Sequence, residues 1–242
     1  MPQTLSAPVI ILAGGTAERL RPITEKIPKG MIEVAGKPFI DHQLRLLASN
    51  GIERVIICAG YLGEQIKDFV GGGERYGLSV EFIFDGDALL GTGGAVKNAA
   101  VRAGEVFFVM YGDSYLTEPF APIERYFMAG NKPALMTVYE NRGKFDAGNI
   151  VFKDGGIVRY DKKAATPDML WIDYGLCMLR AQAFEADKFG AKFDLSQLLG
   201  DLVSRAQVLG WQVKNRFYEI GSFAGLEETR KHLEENRQAN SQ

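Results

Sequence analysis

Between Leu12 and Met31 the chain reads Leu-Ala-Gly-Gly-Thr-Ala-Glu-Arg-Leu-Arg-Pro-Ile-Thr-Glu-Lys-Ile-Pro-Lys-Gly-Met. Gly14 and Gly15 follow a short apolar run, Val9 to Leu12, that has the character of a buried strand. Two glycines let the backbone turn sharply and come close to a ligand. The main-chain N–H groups of such a turn form a cradle for anions. Arg19, Arg21 and Lys29 place three cations in the same loop. Together these residue types suit a nucleoside triphosphate. Two commoner phosphate motifs do not fit. A P-loop ends in Gly-Lys-Ser/Thr after a Gly five positions earlier; Gly36-Lys37-Pro38 lacks the hydroxyl, and Met31 stands where that first Gly belongs. The run Gly91-Thr92-Gly93-Gly94-Ala95-Val96 starts like a dinucleotide fingerprint but puts Val96 at its third glycine.

The elements that must position this loop follow from hydrophobic patterning. Short apolar runs at Val9–Leu12, Arg54–Ala59, Leu78–Phe84 and Val106–Met110 predict strands. Helical spacing falls between them at Phe39–Asn50, with Ile40, Leu44 and Leu47 on one stripe, at Leu62–Val70 and at Thr92–Val101. Near-continuously apolar strands alternating with helices imply an α/β fold whose mostly parallel sheet is covered on both faces. The second half changes character. Ala134–Tyr139, Asn149–Phe152, Gly156–Tyr160 and Trp171–Leu179 are strand-like, and helices return at Leu195–Ala206 and from Phe223 onward, with a frayed tail at Asn236–Gln242. No linker interrupts the pattern, so the 242 residues are expected to form one continuous domain.

Composition excludes several classes. A net charge of −2 provides no basic field for nucleic acid or an anionic membrane. Apolar runs of about six residues are far too short to span a bilayer, and Met1–Ala7 does not resemble a secretory signal. Cys58 and Cys177 lie in strand-like runs and are expected to be buried, reduced thiols. Only two histidines occur, His42 and His232, far apart, which disfavours a histidine-ligated metal.

Four ordered blocks resemble the signature of the sugar-phosphate nucleotidyltransferases. The first comprises Leu12-Ala13-Gly14-Gly15, Arg19-Leu20, Pro22-Ile23-Thr24, Pro28-Lys29 and Gly36-Lys37-Pro38. The others are Leu90–Ala95, Gly112-Asp113 and Phe217–Ser222. The chain looks closest to the short heptose- and mannose-1-phosphate guanylyltransferases. It departs from the family at Ala17-Glu18, where Gly-Thr is usual, at Gly30, where Pro is usual, and at Glu219, where Asp is usual.

The resemblance implies a Rossmann-like three-layer fold with a mixed, mostly parallel central sheet. Residues 1–130 or so would hold the nucleotide, and residues 131–242 the sugar phosphate. In the implied reaction a hexose- or heptose-1-phosphate attacks the α-phosphorus of a triphosphate, and pyrophosphate leaves in line. Catalysis of this kind rests on positioning and on neutralising phosphate charge. Asp113 and Glu219 would hold Mg²⁺. Arg19 would stabilise the departing pyrophosphate, and Lys29 the charge between donor and acceptor. The nucleotide set is Leu12, Ala13, Gly14, Gly15, Asp85, Gly91, Thr92, Gly93 and Gly94, the last two with amides open to base or ribose. The sugar-phosphate set is Gly148, Asn149, Lys162, Asp173 and Gly175, with Asp173 accepting from sugar hydroxyls.

Guanine presents two adjacent donors, which a carboxylate from Asp85 or Asp87 could accept; an ordinary Asp-Gly-Asp turn is the competing account. GTP is therefore favoured, with CTP, UTP or dTTP, or a non-sugar phosphate or phosphonate acceptor, as enzymatic alternatives. A silent nucleotide-sugar sensor is the non-catalytic one. The implied setting is cytoplasmic, with no nucleic acid or membrane partner and a homo-oligomer allowed.

Overall fold

The computed structural model describes residues 5–239 apart from 87, 146, 186 and 187, so Asp87 lies outside the described residues. Among the described residues, thirteen strands and six α-helices follow one another. The first half runs β1 (Val9–Ala13), the short hairpin β2 (Glu33–Val34) and β3 (Lys37–Pro38), α1 (Phe39–Ser49), β4 (Arg54–Ala59), α2 (Gly63–Val70), β5 (Ser79–Phe84), α3 (Gly91–Ala103), β6 (Val106–Tyr111), β7 (Ser114–Tyr115) and α4 (Phe120–Ala129). The second half runs β8 (Ala134–Glu140), β9 (Ile150–Lys153), β10 (Gly156–Tyr160), β11 (Trp171–Arg180), α5 (Leu195–Ser204), β12 (Val208–Val213), β13 (Tyr218–Glu219) and α6 (Phe223–Ala239).

Strands β5, β4, β1 and β6 lie side by side and parallel. β11 joins β6 antiparallel, β8 joins β11 antiparallel, and β12 joins β8 parallel. The hairpin β9–β10 lies against the start of β11. This is the mixed, mostly parallel sheet that the sequence predicts. Its faces are covered as alternating patterning requires. Ile40, Leu44 and Leu47 of α1, with Ile66 of α2 and Phe120, Ile123 and Phe127 of α4, fill one side. Val96 and Ala99 of α3 fill the other with Leu195, Leu198 and Leu202 of α5.

Besides the two-residue strands β2, β3, β7 and β13, too short to leave a pattern, α4 and β12 escape the patterning. In α4, Pro122 sits in the first turn, and Tyr126 and Met128 are exposed apolar residues that blur the periodicity. In β12, Gly210 and Trp211 interrupt the alternation. A third apolar cluster joins Leu20, Ile32, Val34 and Phe39 of the opening loop region to Ile220, Leu226 and Leu233. It fixes the glycine- and cation-bearing loop to α6. Cys58 and Cys177 are buried and unbridged; burial pushes the Cys58 thiol up to about 12.

Chain order reverses at β1. From β1 the chain moves outward through β4 and β5, then returns across to β6 on the other side. Ligands of open α/β sheets bind at the carboxyl ends of strands beside such a point. Ala13 and Tyr111 end β1 and β6 there.

Candidate active site

Leu12 pairs with Tyr111 at the ends of β1 and β6. The Gly112 amide donates to the Leu12 carbonyl at 3.0 Å, and a Cβ on Gly112 would collide with that same oxygen. The turn that presents Asp113 therefore needs glycine. β7 then pairs antiparallel with β13, setting Ser114 opposite Glu219. The Ile220 amide donates to the Asp113 carbonyl at 2.9 Å. This short ladder brings together two carboxylates that the sequence keeps far apart.

Lys29 Nζ pairs with Asp113 Oδ2 at 3.0 Å. Glu219 Oε1 accepts from the Ser222 hydroxyl at 2.7 Å, and its Oε2 accepts from the Gly221 amide. A Cβ placed on Gly221 would lie 2.7 Å from Glu219 Oε2, 3.2 Å from Asp113 Oδ2 and 3.7 Å from Lys29 Nζ. A glycine thus keeps open the gap on which two anions and one cation converge. Mg²⁺ characteristically takes one or two carboxylates and completes its shell with water and phosphate oxygens. Asp113 and Glu219 supply that number, and no larger cluster of acidic, thiol or imidazole groups forms among the described residues. The pair fits the ion.

Two cavities meet at this gap. The smaller, about 270 Å³, is lined by Leu12, Ala13, Gly14, Gly15, Asp85, Gly91 and Thr92. The larger groove, about 980 Å³, takes in Arg19, Lys162, Asp173, Gly175 and Glu219. Lys29, Tyr111 and Asp113 line both. In the opening loop Ala17 holds a left-handed backbone at φ +51°, and its carbonyl accepts from the buried Thr24 hydroxyl at 2.9 Å. That conformation is one glycine adopts more freely, which gives a physical meaning to the family's usual glycine.

The expected residues divide. Gly93 and Gly94 do not present open amides, because both donate to the Phe193 carbonyl, at 2.9 and 3.2 Å. A Cβ on Gly93 would strike the Phe193 ring, and one on Gly94 the Ala191 carbonyl. These glycines serve the docking of α3 against the segment leading into α5, where the Leu195 amide also donates to Thr92 Oγ1 at 2.8 Å. Asp85 faces the small cavity, and its Oδ2 accepts from the Leu90 amide at 3.3 Å. Burial raises its pKa above the usual carboxylate value, and the Leu90 bond offsets part of that.

On the groove side, β11 bulges between Asp173 and Cys177, and Gly175 has φ +91°. Bulges re-aim side chains, and this one turns Asp173 toward Lys162. Asp173 Oδ2 lies 3.0 Å from Lys162 Nζ and accepts from Tyr160 at 3.1 Å and Tyr111 at 3.4 Å. Its Oδ1 accepts from the Gly175 amide at 3.0 Å. With its side chain 6% exposed, the carboxylate holds Lys162 rather than offering two free oxygens to a sugar, which corrects the sequence expectation. Burial opposes the charge on Lys162, but Asp173 and Tyr111 outweigh it and hold its pKa above the ordinary lysine value. Burial, then Asp173, pushes the Tyr160 and Tyr111 phenols up, so both remain donors.

Gly148 and Asn149 line neither cavity. Asn149 Oδ1 accepts from the Asp173 amide at 2.9 Å, and a Cβ on Gly148 would collide with the Met169 carbonyl. Asn149 therefore supports the bulge, and Gly148 allows close packing against the segment entering β11. Sequence reasoning missed Tyr111, although it directly precedes Gly112-Asp113. It also missed Tyr160 and the cavity-lining Leu89, Asp194 and Arg216, which no local pattern marks.

The sequence profile for nucleotidyl transferases matches residues 8–226. The chain belongs to the nucleotidyl transferase family. This nucleotidyltransferase is 24% identical over 222 residues to N-acetylmuramate alpha-1-phosphate uridylyltransferase of Caulobacter vibrioides, covering 88% of this chain and 90% of that protein. It is 37% identical over 105 residues to the protein of the same name from Neisseria meningitidis, a match covering 43% of this chain and about half, 46%, of that one. It is 28% identical over 191 residues to D-glycero-alpha-D-manno-heptose 1-phosphate guanylyltransferase of Aneurinibacillus thermoaerophilus, covering 78% and 81% of the two chains. HddC from Yersinia pseudotuberculosis, complexed with GMP-PN, shares the fold of the nucleotidyltransferase with TM-score 0.77 at 24% identity, over 94% of this chain and 99% of that one. The expected likeness to guanylyltransferases is present, alongside uridylyl-transferring relatives.

Proposed function

We propose that this nucleotidyltransferase makes a nucleoside diphosphate sugar and pyrophosphate from a nucleoside triphosphate and a sugar 1-phosphate. The observation that carries this reading is the junction of the two cavities at Lys29, Tyr111 and Asp113. The triphosphate occupies the small cavity, with its phosphates toward Lys29. The sugar 1-phosphate lies in the groove, with its phosphate toward Lys162. A phosphate oxygen of the acceptor attacks the α-phosphorus, and the bond from that phosphorus to the β-phosphate oxygen breaks. Pyrophosphate leaves with the bonding pair. The nucleophile is already ionised near neutral pH, so the chain supplies position and positive charge rather than a strong base.

Asp113 and Glu219 would hold Mg²⁺, which when bound neutralises phosphate charge and orients the leaving group. Lys29 offsets charge between the two substrates, and Arg19, on the groove side, meets the polyphosphate. Lys162 is held ready by Asp173 and binds the acceptor phosphate. Asp85 is the candidate reader of the base, and its acceptor oxygens favour GTP through guanine's paired donors. The uridylyl-transferring relatives support UTP as the second reading. Such an enzyme would act in the cytoplasm, where nucleoside triphosphates are supplied. A matrix of four triphosphates against several sugar 1-phosphates, read by pyrophosphate release with Mg²⁺, tests the proposal. Turnover is expected for one strongly preferred pair. No release across the panel would refute it.

A further inference from the structure

Among the few buried polar side chains, Gln43 and Thr229 stand out, because both are fully buried and both bond to main chain beside the paired carboxylates. Gln43 projects from α1 beneath the β6–β7 turn. Its Nε2 donates to the Tyr111 carbonyl at 3.2 Å and to the Ser114 carbonyl at 2.8 Å. Those two carbonyls flank Gly112-Asp113. Its Oε1 is buried without a hydrogen-bond partner among the described residues. A buried polar atom left unpaired costs stability, so an apolar side chain would be the simpler filling for this helix face. Thr229 projects from α6, and its hydroxyl donates to the Glu219 carbonyl at 2.7 Å. A side chain from α1 therefore holds the backbone flanking Asp113, and one from α6 holds the backbone of Glu219.

We propose that Gln43 and Thr229 are paired positioning residues that set the separation of the Asp113 and Glu219 carboxylates for a divalent cation. This rests on the nucleotidyl-transfer reading of the site. Neither side chain lines either of the two cavities at the gap, so neither is expected to touch substrate. Loss of groups that orient metal ligands typically costs 10- to 100-fold in metal affinity or activity.

The test titrates Mn²⁺ into the whole protein with saturating inorganic pyrophosphate and reads free Mn²⁺ by electron paramagnetic resonance. Pyrophosphate is the product whatever the base. Gln43→Met removes both donors at similar length, Thr229→Val removes the hydroxyl at constant shape, and Thr229→Ser restores it. The Mn²⁺ dissociation constant should rise about 10-fold in Gln43→Met and Thr229→Val, and stay within about 2-fold of wild type in Thr229→Ser. In turnover, kcat should fall while both KM values hold. Equal Mn²⁺ affinity in wild type, Thr229→Val and Thr229→Ser would overturn the positioning role, and this comparison stands even if Gln43→Met does not fold. Wild-type protein that binds no Mn²⁺ with pyrophosphate would instead overturn the reading of the site on which the role depends.

Discussion

Gly221→Ala isolates the charged gap from the fold. The new methyl would lie 2.7 Å from Glu219 Oε2, whereas ordinary contact begins at 3.4 Å, so that oxygen must retreat by 0.7 Å. It must also leave its bond from the Gly221 amide, and the carboxylate's turn disturbs the bond that Oε1 accepts from the Ser222 hydroxyl. Asp113 Oδ2, at 3.2 Å from the methyl, must shift by a further few tenths of an ångström. These are ends of flexible side chains facing a cavity, so the fold can absorb the change, but the arrangement of the carboxylates cannot. A misplacement of about 1 Å at a reacting centre costs on the order of 100-fold in rate. The expected result is a kcat lowered by about 10- to 100-fold, measured by coupled pyrophosphate release at saturating substrates, with a melting temperature within about 2 °C of wild type, as for a change under 1 kcal/mol. A folded Gly221→Ala enzyme with wild-type kcat would refute the argument that this gap is where the chemistry is held.

Two further outcomes follow from the same geometry. If Asp173 acts through Lys162, Asp173→Asn frees a side chain whose ordering costs about 1.5–2 kcal/mol, and kcat/KM for the sugar 1-phosphate falls on the order of 10-fold. The same change should cost nothing more in a Lys162→Met background, and additive losses would instead indicate direct contact with sugar hydroxyls. Asp85 has its pKa raised by burial, so as pH falls it takes up its proton earlier than an ordinary aspartate does. Its burial penalises the folded state only while it is ionised, so stability from this group rises with acidification. Affinity for the triphosphate falls over the same window as the acceptor oxygens are lost. KM for the triphosphate measured against pH should show this acid limb in wild type and lack it in Asp85→Asn.

Several residues that line the two cavities are legible in the sequence, because they are side-chain types at fixed offsets from glycine turns. Gly14, Lys29 and Asp113 are of this kind. The parallel half of the sheet was legible for a similar reason, since buried strands between helices leave continuous apolar runs. What the sequence hides is the partner of each polar group. Asp173 looks like a free acceptor until the β11 bulge sets it against Lys162, Tyr111 and Tyr160. Gly93 and Gly94 look like open amides until the segment before α5 supplies the Phe193 carbonyl. Gln43 and Thr229 bond to carbonyls distant in sequence, which no spacing rule encodes.

The central claim is that an oxygen of the acceptor phosphate attacks the α-phosphorus of the triphosphate. Sugar 1-phosphate carrying ¹⁸O in its phosphate oxygens tests this directly when the products are examined by ³¹P NMR and mass spectrometry. The account predicts that all of the label stays in the nucleoside diphosphate sugar, with one labelled oxygen bridging the two phosphorus atoms, and that the pyrophosphate is unlabelled. Labelled pyrophosphate or labelled inorganic phosphate would contradict it.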